Sequence, residues 1–306
     1  MNRTRLSPVD IVGITLGAVV LVVVIASIAL IFHGRSLSFP ASGPEIKRFW
    51  NERSPQRGGW LREEKEEQVS GDFTTVEIRN IAGGIDIHGP TPGNDTGSNV
   101  GIHAVKTAMF PAAMENLNVA IEKRGDRLLV EERHAAGFIM SAGSVSFVIT
   151  LPRGIKRIEA HSVSGSVTVQ GVGAGIDQNL STISGSIETS GARNLDASST
   201  SGSVQFVFAG SRLDAHTVSG SIDGRIESLD QGGSVSVRTV SGGVGLDAPS
   251  GLDAIVSLHS VSGGISCELP LAATEQRRNW LEGRIGSGSG RMDVTTTSGQ
   301  ITVRKL

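Results

Sequence analysis

Three hydrophobic patterns follow one another along the 306-residue chain. The first is continuous. From Ile11 to Phe32 the run "IVGITLGAVVLVVVIASIALIF" carries no charge, and Thr15 and Ser27 are its only polar side chains. As a helix rising ~1.5 Å per residue it spans ~33 Å, enough for the hydrocarbon layer of a bilayer. The apolar core of a cleavable leader is shorter, ~7–15 residues, and this run continues past the small-residue stretch "ASIA". An uncleaved transmembrane helix over 11–32 is therefore expected, behind a short head at 1–10. Arg3 and Arg5 favour a cytoplasmic N-terminus and put the chain after Arg35 outside the cytoplasm, although Arg35, Lys47 and Arg48 lie on the far side.

The second pattern is polar. Residues 33–70 read as a stalk or linker: "SFPASGP" is turn-rich, and "KRFWNERSPQRGGWLREEKEEQ" mixes both charge signs with Phe49, Trp50 and Trp60. A solvated, partly helical linker is the expectation, with the aromatics at a membrane surface as the alternative. The third pattern begins at Phe73. "TVEIRNIAGGIDIHG", "NVGIHAV", "LNVAIEKRGDRLLVEER" and "SVSFVITLP" alternate apolar with polar residues, as half-buried strands do. "KRGDR" fits a hairpin connection, and no long amphipathic helix interrupts the strands.

From about residue 153 the alternation becomes a repeat. "HSVSGSVTV" returns as "STISGSIET", "SSTSGSVQF", "HTVSGSIDG", "RTVSGGVGL" and "HSVSGGISC". The central glycines are Gly165, Gly185, Gly202, Gly220, Gly242 and Gly263, spaced by 20, 17, 18, 22 and 21 residues, as in turns of a solenoid. Apolar residues two before and two after each glycine (Val163 and Val167, Ile183 and Ile187) place the glycine on the inward face of a strand. Upstream, apolar residues fall seven and five before it, as in Ile158 and Ala160. The inward phase must slip by one residue, and a corner three to four residues before the glycine is expected. The predicted fold is all-β: a parallel β-solenoid over 71–306, with regular repeats over 153–306. An antiparallel sandwich with glycine turns is the alternative.

These phrases, together with "VEIRNIAGGIDIHG" and "SVSFVITLPRG", resemble the bacterial "putative adhesin" domains of repeated short β-strands. Those domains have unknown function and are related to the head-GIN adhesin-like domain. The resemblance covers residues 73–306 and implies a β-helix-like fold on an envelope protein, with no catalytic residues to carry over.

Composition narrows the chemistry. Forty glycines, nine Phe, three Trp and no Tyr suit thin repeated layers. A net charge of −2 offers no basic footprint for nucleic acid. Cys267 is the single cysteine, so no intramolecular disulfide forms, and its inward position reads as a small buried residue. "GGVGLDAPS" (242–250) matches one calcium-binding nonapeptide, but such sites need tandem copies. His161, His216 and His259 share a column yet stand rungs apart, too far to share an ion, and read as exposed corner residues. No metal or other cofactor is expected. Asp196 and Asp214 fall on adjacent rungs and form the candidate acidic pair, which could serve calcium or a glycosidase. Only Phe206 and Phe208 lie between Arg153 and Leu269 to stack on a sugar, so a solvated face is the stronger reading. "AATEQRRNWLEG" (272–283), with its helix-forming residues, is expected to be a flap or partial cap. The function expected is a non-enzymatic, membrane-anchored envelope module, adhesin-like, scaffolding or regulatory, whose partner is an envelope or extracellular protein or polysaccharide. A carbohydrate-active β-helix enzyme and a self-assembling structural solenoid are the alternatives.

Overall fold

The computed structural model describes residues 51–55, 60–90, 98–134 and 143–306. The run 11–32, the head and most of the expected stalk lie outside them. Among the described residues no helix is long and apolar enough to cross a membrane. Among the described residues the alternating segments form 21 hydrogen-bonded strands, with one short helix.

Each rung is a pair of strands joined at a glycine corner. One strand of each pair joins a first sheet and the other a second, and their inward side chains meet in a thin core. The first complete rung is β3 (Thr75–Ala82) and β4 (Ile85–His88) around Gly83. β9 (Arg157–Ser164) and β10 (Val167–Gln170) repeat it around Gly165. Next come β11 (Ile176–Ser184), β12 (Ile187–Ser201), β13 (Val204–Ser219) and β14 (Ile222–Ser241), the last three long enough to leave one corner in the second sheet and reach the next in the first. β15 (Val244–Ala248) closes the Gly242 rung. Successive rungs pair parallel and in register: Ile78, Ala160, Leu180, Ala197, Ala215 and Val237 align down the first sheet. Ile85, Val167, Ile187, Val204, Ile222 and Val244 align down the second. All are at most 2% exposed. The β-solenoid expectation holds and the sandwich does not, because the rungs stack through parallel ladders.

The corner differs from the expectation. Inward positions are seven, five and three residues before each glycine, then two and four after it, as Ile158, Ala160, Ser162, Val167 and Val169 show. The phase therefore slips at the glycine itself. Val163 and Ile183, expected inward, are half-buried on the outer surface. The polar residue three before the glycine is buried instead: Ser162, Thr182, Ser199, Thr217 and Thr239 are at most 4% exposed.

The ladder explains both departures. Gly202 N–H donates to the Ser219 carbonyl and Val204 N–H to that of Ser221, which leaves the Gly202 carbonyl without a main-chain donor in this ladder. That oxygen points at the Cα of Gly220 on the next rung. A Cβ on Gly220 would sit on Gly202 O, well inside the ~3.5 Å of ordinary contact. The same holds for Gly165 over Gly83, Gly185 over Gly165, Gly202 over Gly185 and Gly242 over Gly220. Most of these glycines have no positive φ, so close approach rather than backbone conformation requires them. A buried carbonyl still needs a donor. The hydroxyl three residues before the next glycine supplies it: Thr182 to Gly165 O at 3.0 Å, Ser199 to Gly185 O at 3.1 Å, Thr217 to Gly202 O at 3.1 Å and Thr239 to Gly220 O at 3.2 Å. The first rung varies the scheme, with Asn80 Nδ2 donating to Gly83 O at 2.7 Å and Val145 O at 2.9 Å.

The C-terminal rungs are out of sequence order. β16 (Ala254–Ser262) and β17 (Ile265–Cys267) turn at Gly263, and β20 (Gly290–Ser298) and β21 (Ile301–Lys305) turn at Gly299. The last rung inserts between the others: β20 pairs with β14 on one side and β16 on the other, and β21 with β15 and β17. Asp253 ties the connection, accepting from the Gly288 N–H at 2.6 Å and from the Ser287 and Ser289 hydroxyls at 2.7 and 2.9 Å. These donors hold its pKa down at about 2. Residues 272–283 contain no helix. They fall mostly in the hairpin β18 (Ala272–Arg277) and β19 (Trp280–Ile285), which pairs antiparallel to β16 and covers that end, so the cap expectation is met by strands.

The opposite end is closed by antiparallel strands as well. β7 (Arg127–His134) and β8 (Gly143–Thr150) first extend the ladder, pairing parallel with β3 and β4. β6 (Leu117–Arg124) forms a hairpin with β7, turning at Gly125 with φ +64°, as "KRGDR" suggests. β5 (Asn99–Ala108) lies antiparallel to β8, and α1 (Pro111–Asn116) tucks Ala113 and Met114 into the core. Residues 61–70, expected in the linker, form β2 (Leu61–Ser70), paired with β5 over ten residues. β1 (Asn51–Pro55) pairs antiparallel to β2.

Four substitutions at three positions test the corner. Gly220→Asn and Gly220→Val should destabilise the domain alike, by at least the ~1–3 kcal/mol of overpacking, since either Cβ meets a backbone oxygen. Ser219→Asn, on the exposed face, should be nearly silent in the same urea titration. Thr217→Val keeps the shape but removes the donor to Gly202 O, and should cost about 1 kcal/mol. A neutral Thr217→Val would show that the hydroxyl ladder does not support the corner.

Candidate functional site

Outward side chains form columns, because the parallel register stacks equivalent positions on both sheets. On the first sheet Asp196 pairs in register with Asp214, as the sequence suggests. Asp214 Oδ1 accepts from Arg238 Nη1 at 3.3 Å. Desolvation raises the pKa of the Asp196 carboxyl although the residue as a whole is exposed; the charge of His216 opposes the rise, and Asp214 adds to it. Burial pushes His216 down, against the pull of both aspartates, and its Nε2 is buried without a partner.

The histidine column is less exposed than expected. His161 Nδ1 lies 2.7 Å from Ser181 Oγ, and desolvation lowers its pKa. His259 is 9% exposed because Trp280 of the end hairpin packs on it edge-on, with ring centroids 4.7 Å apart. Insertion of the last rung sets His216 and His259 three rung steps apart, through Arg238 and Thr295. Among the described residues no group of three or more His, Cys, Asp or Glu is placed to hold a metal ion. Asp247, the acidic member of the solitary nonapeptide match, accepts from Arg304 Nε at 2.8 Å. Cys267 is half-buried, and desolvation raises its thiol pKa.

The second sheet carries the feature that the sequence did not disclose. A concavity of about 550 Å³ crosses its outer face from the Gly165 rung to the Gly299 rung. Gln170, Glu188, Gln205, Asp223, Arg225 and Arg304 line it, with Val207, 37% exposed, near its middle. Gly245 contributes a gap in the outward column beside Asp223. Beneath it the Phe206 ring fills the space where a Gly224 side chain would stand. Gln170 Nε2 donates to Glu188 Oε1 at 3.2 Å and Ser221 Oγ to Asp223 Oδ2 at 3.0 Å. The lining thus offers planar amides, carboxylates and guanidiniums spread over rungs ~4.8 Å apart, geometry for hydrogen bonds along an extended polar ligand.

With this architecture in view, the family model for Toastrack DUF4097 matches residues 140–304, more than half of the chain. The chain belongs to the Toastrack DUF4097 family. Solved structures similar to it include a "putative adhesin" from Bacteroides fragilis, 15% identical, with TM-score 0.42, covering 79% of this chain and 97% of that one. A "putative cell adhesion protein" from Clostridium sporogenes is 10% identical, with TM-score 0.34, over 80% and 100% of the two chains. A "putative lipid binding protein" from Parabacteroides distasonis is 11% identical, with TM-score 0.25, over 80% and 96%. No curated protein matches the chain. The family assignment rests on the sequence match alone.

In this Toastrack domain the acidic pair and the concavity lie on different sheets, so Asp196 and Asp214 do not border that depression. Their columns were legible from the repeat. The concavity was not, because it depends on which outward positions of six rungs carry short side chains.

The raised pKa of Asp196 gives a test. A carboxyl whose folded pKa exceeds its unfolded one costs stability when ionised in the fold, and the cost disappears below the unfolded value of ~3.9. Asp196→Asn should therefore raise the urea midpoint at pH 7 and leave it unchanged near pH 3. A lower midpoint at pH 7 would show that the ionised carboxylate is held by favourable contacts.

Proposed function

We propose that this Toastrack chain is a non-catalytic binding module of the cell envelope, anchored through residues 11–32 with the solenoid outside the cytoplasm. The outer face of the second sheet is its ligand face. The observation that carries the reading is the concavity over Gln170, Glu188, Gln205, Asp223, Arg225 and Arg304. Its polar, mixed-sign lining spans several rungs and suits a polar polymer, a polysaccharide or an extended polypeptide, better than a small apolar ligand. Arg3 and Arg5 before the apolar run support the orientation.

The enzyme alternative keeps one favourable observation. The raised pKa of Asp196 beside an Arg-paired Asp214 resembles the division of labour in an acid–base pair. The concavity on the opposite sheet favours binding instead. End-to-end self-assembly is disfavoured on the first sheet, whose end strands β7 and β16 pair antiparallel with β6 and β19.

The full chain in detergent, immobilised and exposed to solubilised envelope polysaccharides and unfolded envelope proteins, tests the reading. Val207→Arg and Glu188→Lys, which fill the depression or reverse its charge, should abolish binding while Asp196→Asn with Asp214→Asn retains it. Polysaccharide cleavage lost in the aspartate double variant would replace binding by catalysis. A reporter active only in the cytoplasm, active when fused after Leu306, would overturn the orientation.

A further inference from the structure

We infer that the end of the solenoid bearing Trp60, Met109 and Phe110 rests on the lipid bilayer. This builds on the proposal that residues 11–32 span that bilayer. Leu61 and Ala108 form the last pair of the β2–β5 ladder, so the next residues outward, Trp60 and Met109, face one another beyond it. They are 45% and 55% exposed, and Phe110 beside them is 44% exposed. Pro111 and Ala112 follow, also exposed. Three of the six large hydrophobic side chains exposed among the described residues therefore gather at one tip.

The tip is firmly held. Ala113 and Met114, immediately after it, are 3% and 2% exposed in the core, and β2 is paired along its whole length. An indole and a phenyl ring presented this way suit the headgroup level of a membrane, where amphipathic rings are favoured. Among the described residues charge stands back from the tip; Arg57, three residues before Trp60 in sequence, lies outside them. Arg62 is paired with Glu64 at 2.6 Å, two and four residues along β2, roughly 7–14 Å behind Trp60. Glu115 lies near the far end of α1.

The chain outside the described fold argues for a bilayer rather than a second copy. Eighteen residues separate Phe32 from Asn51 and reach at most ~65 Å. They enter the fold at β1, the strand paired with β2, whose Pro55 stands opposite Leu61. The strand that the tether enters and the tip thus belong to one hairpin, and the tether raises the effective concentration of membrane at the tip enough for a weak contact to persist. Three large side chains are far fewer than the ~20–30 residues per partner of a stable protein interface.

The test uses the full chain with Trp50→Phe and Trp280→Phe, so that Trp60 is the sole tryptophan. It is reconstituted into phosphatidylcholine vesicles carrying bromine at shallow or deep acyl positions. Shallow bromines should remove most of the Trp60 emission and deep ones little. Met109→Asp with Phe110→Asp should restore the emission while the chain still resists extraction by alkaline carbonate. Unquenched Trp60 in a carbonate-resistant chain overturns the inference and leaves the anchor standing. Quenching unchanged by the aspartates also overturns it, since the tether alone would then place Trp60. A concentration-dependent crosslink between copies at Met109→Cys assigns the tip to a dimer and overturns the bilayer contact. Release by carbonate overturns the anchor, and the inference with it.

Discussion

The structure depends on how closely the backbone of one rung approaches the next at the glycine corner. In a flat parallel ladder successive strands alternate donors and acceptors, and side chains on both faces keep the backbones at their ordinary spacing. At this corner the chain bends out of one sheet into the other, and a glycine carbonyl turns toward the Cα of the glycine one rung on. Only a residue without Cβ fits there. The same bend takes that carbonyl out of the main-chain ladder, and a serine or threonine hydroxyl three residues earlier on the next rung satisfies it. Glycine and hydroxyl are thus two halves of one device, repeated along the solenoid.

The rest of the architecture follows from that device. A sharp corner brings the two sheets together over a thin core, so inward positions hold Val, Ile, Leu and Ala, and a large ring such as Phe206 needs Gly224 beside it. Parallel stacking in register turns each outward position into a column. A functional surface can then be written one residue per rung, as the lining of the second-sheet concavity is.

A ladder of this kind leaves open strand edges at its ends, where further chains could add. The first sheet meets antiparallel strands at both ends, β6 at one and β19 at the other, and β5 covers the N-terminal edge of the second. At the C-terminal end the final rung also inserts between two earlier ones, held through the contacts of Asp253 with Ser287, Gly288 and Ser289. At the N-terminal end the closing strands carry the apolar tip, so the strands that protect the ladder also provide a surface of their own.

The repeated glycine, its flanking serines and the apolar alternation were enough to specify a parallel β-solenoid and the column that brings Asp196 beside Asp214. They did so because periodicity is a local property that survives without knowledge of neighbours. Two copies were hidden by unfamiliar spelling: "AGGIDI" at Gly83 and "TSGQITV" at Gly299 are rungs like the others. The position of the corner was hidden because a buried threonine reads as polar and therefore outward. Only the carbonyl of a neighbouring rung, close in space and some twenty residues away in sequence, makes Thr217 an inward residue. Rung order, the second-sheet concavity and the meeting of Trp60 with Met109 were likewise decided by the tertiary structure. Each depends on contacts between segments far apart in the chain, and the spacing of residues along one strand carries no information about them.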